Sequence, residues 1–62
     1  MDRYLMDFDD YLGKKVLITS FSSGSLIGTL TDCMDDFIEL EIEGEYMQVP
    51  IEPIRNIRVV EE

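Results

Sequence analysis

The run Ser22–Leu40, SSGSLIGTLTDCMDDFIEL, places Gly28 in the middle of the most strand-like stretch of the chain. An interior glycine weakens a strand, because it adds no packing and costs backbone entropy. It belongs where a strand bends sharply or where another backbone comes close. A flat sheet has no use for it. A small, strongly bent sheet does.

The residues around Gly28 repeat with a period of two. Leu26, Gly28 and Leu30 share one face, and Ile27, Thr29 and Thr31 the other. The preceding stretch KKVLITSF alternates likewise, with Val16 and Ile18 on one face and Leu17 and Thr19 on the other. Ser-Ser-Gly-Ser between them is a turn signal. Met-Asp-Asp marks the next turn, and FIELEIE follows with Ile38, Leu40 and Ile42 inward, the pattern of a half-buried strand. Glu-Gly-Glu around Gly44 is a tight turn. YMQVPI puts Met47, Val49 and Ile51 inward, Pro53 sits in a short break, and RNIRVV returns with Ile57 and Val59 inward.

Before Gly13 the period differs. Leu5, Phe8 and Leu12, and Tyr4, Phe8 and Tyr11, recur at spacings of three and four, which predicts a short amphipathic helix over about 3–12. Asp2 is its candidate N-cap and Gly13 its stop. Its apolar face suits a lid on a core. The expected fold is mainly β: a short N-terminal helix, then a five-stranded, strongly bent small barrel over about 14–60, in one domain spanning 1–62.

Sixty-two residues bury a marginal core, since a chain of this size hides only about 60% of its unfolded surface. One cysteine excludes an internal disulfide, and the absence of histidine excludes a Cys/His zinc site. Association with copies of itself or with a partner is the remaining way to add stability. Fourteen acidic residues against five basic ones give a net charge of −9. That field disfavours long DNA or RNA tracked by electrostatics. It keeps a small apolar protein soluble, and it also suits docking on a basic partner protein. No signal peptide is visible, and no stretch approaches the roughly 18 apolar residues of a membrane span, so the expected setting is cytoplasmic.

The order of these segments carries a resemblance. A helix, LGKKVLI, GSLIGTL, an acidic turn with an aromatic, DDFIEL, and VPIEPIRNIRVV resemble the Sm-like fold. Gly24, Gly28, Leu30, Asp35 and Leu40 match the elements of the first Sm motif, and the resemblance covers residues 4–60. It is nearest to short bacterial Sm-like domains of unassigned function. SH3-like and other small barrels use similar glycine-bent hairpins. The chain also departs from the family pattern. DDFIEL has no base-reading asparagine, Arg55 is followed by Asn56 where the second motif has glycine, and the lysine–histidine signature of the RNA chaperones is missing.

Catalysis finds little footing, and the chain is expected to be no enzyme. Asp35 and Asp36 are adjacent and diverge, and nothing sets a nucleophile beside a base. Cys33 ends an apolar strand among acidic residues, which does not favour a thiolate. Asp32, Asp35 and Asp36 follow no calcium-loop spacing, so neither metal nor cofactor is expected. Binding is better supported. Lys14 and Lys15 start the first strand, and Arg55 and Arg58 the last. Phe37 and Tyr46 could stack a base. The resemblance implies a ligand site at Asp35, Phe37, Arg55, Asn56 and Arg58, in a homo-oligomeric ring that holds a nucleotide-type ligand or short RNA. Such a ring could act as a phage-type sponge for a cyclic nucleotide signal. The alternatives are an acidic interaction or inhibitor module on a basic partner, and arginines that merely pair with glutamates.

Overall fold

Five antiparallel strands form a single sheet in the computed structural model, which describes residues 8–60. They are β1 (Lys15–Ser20), β2 (Gly24–Cys33), β3 (Phe37–Ile42), β4 (Glu45–Pro50) and β5 (Ile54–Val59). Their order across the sheet is β4-β3-β2-β1-β5. Among the described residues the sheet is not closed: β4 ladders only with β3, and β5 only with β1.

The helical stretch expected over 3–12 is, among the described residues, one 3-10 turn at Phe8–Tyr11; Asp2, Tyr4 and Leu5 lie outside them. Gly13 stops the turn with φ +81°. The Gly13 N–H then donates to the Leu30 carbonyl, and the Leu30 N–H to Lys14, so the turn is tied to β2. Phe8 is buried, Tyr11 packs on the core, and Leu12 is exposed. Among the described residues the lid is Phe8 with Tyr11.

Period-two alternation fills the inner face. Val16 and Ile18 of β1, Leu30 of β2, Ile38 and Leu40 of β3 and Val49 of β4 are buried, joined by Ile54 and Ile57 of β5. Met47 and Val59 were expected inward beside them. Their register is indeed inward, Met47 opposite Leu40 and Val59 opposite Val16. Yet they are 44% and 39% exposed. Each stands on an edge strand, with a neighbour on one side only.

The long strand β2 serves two partners. Residues 24–29 pair with β1 and residues 29–33 with β3, with Thr29 opposite both Lys15 and Glu41. Beyond Leu30 the register skips Thr31, a bulge that strengthens the local twist. The Thr31 hydroxyl lies 2.9 Å from Glu39 Oε1 and 3.2 Å from the Glu39 carbonyl, which pins the bulge.

Gly28 sits one residue before this hand-over. A Cβ there would lie 2.7 Å from Ile42 Cγ1 and 2.9 Å from the Glu41 carbonyl oxygen. The Ile42 side chain could turn aside, but the backbone oxygen could move only with β3. Gly28 is required by close approach of a neighbouring strand, as its mid-strand position suggested. Gly28→Val should therefore destabilise the protein by about 1–3 kcal/mol or more, and Gly28→Ala by a smaller amount. Urea unfolding measures both, and a Gly28→Val midpoint equal to that of the parent would contradict the close-approach account.

Candidate functional site

Three connections meet at one end of β1 and β5. Ser20 closes β1, and residues 21–23 turn the chain into β2, with Gly24 at φ +77°. Ser20 is buried, and its Oγ accepts from the N–H groups of Ser22 at 3.2 Å and Ser23 at 3.3 Å. A buried hydroxyl thus holds the turn from beneath. The Phe21 N–H donates to the Pro53 carbonyl at 2.8 Å, joining this turn to the β4–β5 connection. That connection is closed by the Ile54 N–H on the Ile51 carbonyl, and its Ile51 N–H reaches the Asp36 carbonyl in the β2–β3 loop at 2.9 Å. Loops far apart in sequence are stitched together by backbone hydrogen bonds, which any side chains can support.

Of the expected site residues, Asp35, Phe37 and Arg55 lie at this end, whereas Asn56 and Arg58 run away from it along β5. Asp35 is exposed in the β2–β3 loop. Phe37 opens β3 opposite Pro50, is half-buried, and offers its carbonyl to the Met34 N–H. Asn56 and Arg58 are exposed on the outer face of β5, opposite Thr19 and Leu17. Arg55 lies where the β1–β5 register shifts, so it is an extra residue between Ile54, opposite Ser20, and Asn56. The bulge frees it from the in–out alternation of its strand.

Arg55 and Phe37 do not meet in a ring contact among the described residues. The guanidinium carbon of Arg55 instead stands 5.1 Å from the centroid of the Phe21 ring, in cation–π range. Phe21 is 80% exposed. Sequence reasoning missed it because its alternation continued the first strand. The Ser-Ser-Gly after it was the available signal that it belongs to the turn. Among the described residues neither Arg55 nor Arg58 forms an ion pair, so the expectation that they merely balance glutamates finds no such contact there.

A groove of about 370 Å³ lies elsewhere, over Gly28, with Lys15, Ile27, Thr29, Glu41, Ile42 and Glu43 around it. It contains none of the expected site residues. Among the described residues no cluster of three or more cysteine, aspartate or glutamate side chains is placed to hold a metal ion. No helix among them is long and apolar enough to cross a membrane.

The turn's dependence on one hydroxyl is testable. Ser20→Ala removes an acceptor used by two N–H groups and should cost about 1 kcal/mol. It should also speed hydrogen exchange at the Ser22 and Ser23 amides, read by NMR. Unchanged exchange at both would mean that the hydroxyl does not hold the turn.

Comparison with known proteins gives one result. No curated protein and no solved structure matches the chain. A family model described as a domain of unknown function, DUF6897, matches residues 1–60. That match takes in every described strand and the connections that meet at the Phe21–Arg55 end, and the chain belongs to the DUF6897 family.

Proposed function

We propose that this chain is a non-enzymatic, homo-oligomeric binding module of Sm-like type, holding a nucleotide-type ligand or short RNA at the stitched loop end of its sheet. The observation that carries the ligand half is Arg55. In a chain with fourteen acidic residues, its guanidinium makes no ion pair among the described residues and lies on an exposed aromatic ring. Its N–H donors remain available to a phosphate, in a fork that suits bidentate contact. Asn56 and Arg58 follow on the same strand, and Asp35 and Phe37 stand across the β4–β5 connection.

The open edges support the assembly half. Unpaired edges invite strand addition, and Met47 and Val59 are the inward-register side chains that a neighbouring strand would cover. The two edges differ in charge. The described cations Lys14, Lys15, Arg55 and Arg58 belong to β1 and β5 or lead into β1, whereas Glu39, Glu41, Glu43 and Glu45 lie along β3, β4 and their turn. Unlike edges favour head-to-tail contact between copies, which closes into a ring when the rotation permits. In such an assembly the Sm-like barrel would be completed between subunits. A small ring with one pocket per copy would suit sequestration of a nucleotide signal.

Isothermal titration against mono-, di- and cyclic nucleotides and short oligoribonucleotides tests the ligand half. The parent should bind at least one of them. Arg55→Ala should weaken that binding by about ten- to a hundredfold, the loss of a charge-assisted hydrogen bond. Arg58→Ala should weaken it less. If the parent binds none of the panel, the nucleotide reading falls. The acidic run Glu41, Glu43 and Glu45 then favours the second reading, an interaction module for a basic protein.

A further inference from the structure

We propose that Phe21, not Phe37, is the stacking face of this site, with Phe21 and Arg55 holding the base and an adjoining phosphate of a nucleotide-type ligand. This inference rests on the nucleotide reading above.

Three observations on Phe21 lead to it. First, the ring is 80% exposed, so it contributes little to the core. Second, it is held out rather than left loose. Its own N–H is fixed to Pro53, the following two N–H groups are fixed to the buried Ser20 hydroxyl, and Gly24 supplies the left-handed step that ends the turn. With its backbone already ordered, only the ring's own torsions remain to be fixed when a ligand arrives. Third, the cation beside it carries charge that the acidic chain does not neutralise within the described residues. A guanidinium over a ring directs its N–H donors along its own plane, so the π contact does not consume them.

Phe37 is less suited. It is half-buried and paired opposite Pro50 at the start of β3. Its backbone accepts the hydrogen bond that closes the β2–β3 loop. These are the features of a residue that props a loop. Phe21 combines an open π face with an adjacent cation, which suits a ligand joining a flat aromatic group to an anion. Stacking on phenylalanine tolerates any base, so the contact selects the class of ligand and not its sequence. Asn56, next to Arg55 and exposed opposite Thr19, is the nearest amide able to read a base edge.

The chain has no tryptophan, so a single indole is a clean reporter. The probes are AMP, UMP and the RNA hexamers of adenylate and uridylate. F21A should weaken binding of the best probe by about five- to a hundredfold. F37L, which keeps an apolar side chain at the half-buried position, should weaken it less. F21W should bind, and its indole fluorescence should be quenched on saturation. L12W, placed before the opposite end of β1, should show no quenching. If the parent binds a probe but F21A binds it equally well, or the F21W indole is unquenched, the inference fails while the nucleotide reading stands. If neither these probes nor the di- and cyclic nucleotides bind the parent, both fall.

Discussion

The carbonyl oxygen of Glu41 lies where a side chain on residue 28 would begin. That contact is possible only because residue 28 is glycine, and the shape of the sheet depends on it. It lets β3 press against the middle of β2 just where β2 passes from one partner strand to the other. The Thr31 bulge adds twist immediately afterwards. One ten-residue strand therefore serves both halves of the sheet, and the buried apolar side chains of the described residues gather inside the curl.

The curl has a second consequence. It brings the β1–β2 turn, the β2–β3 loop and the β4–β5 connection within hydrogen-bonding reach of one another. The hydrogen bonds between them are made by backbone groups, so the exposed side chains at this end, unlike Ile51, which packs on the core, are available for binding. Arg55, extruded by a register shift, and Phe21, set by a buried serine, are the pair on which that freedom is most evident. The curl stops short of closure and leaves two edges of unlike charge. Stability in so small a chain and a place for a ligand then become aspects of one architecture, if copies complete each other's edges.

Much of this was legible in the sequence because it is local. Alternation marked all five strands, Gly13 and Gly24 marked the ends of turns, and Gly28 announced a bend or a close approach, of which the close approach is seen. What stayed hidden depends on neighbours. Met47 and Val59 have inward periodicity, but periodicity does not say which strand is at an edge. Phe21 continued the alternation of β1, and only the Ser20 hydroxyl and the Pro53 carbonyl show that it has left the strand. Arg55 was singled out from its place in the last strand, yet its aromatic neighbour comes from a turn thirty-four positions earlier, a pairing fixed by the β1–β5 register. Of the helix expected over 3–12, the described part is a 3-10 turn at Phe8–Tyr11, whose following residues are tied to β2.

Native mass spectrometry of the protein, purified gently enough to keep a bound small molecule, tests the completion of open edges most directly. The account predicts a closed homo-oligomer of one defined stoichiometry, present at about ten micromolar, a concentration at which weak associations are still populated. It should loosen as ionic strength rises, because its two edges attract through exposed charges. A monomer alone at that concentration and low ionic strength would contradict it, and the exposed Met47 and Val59 would then be ordinary surface.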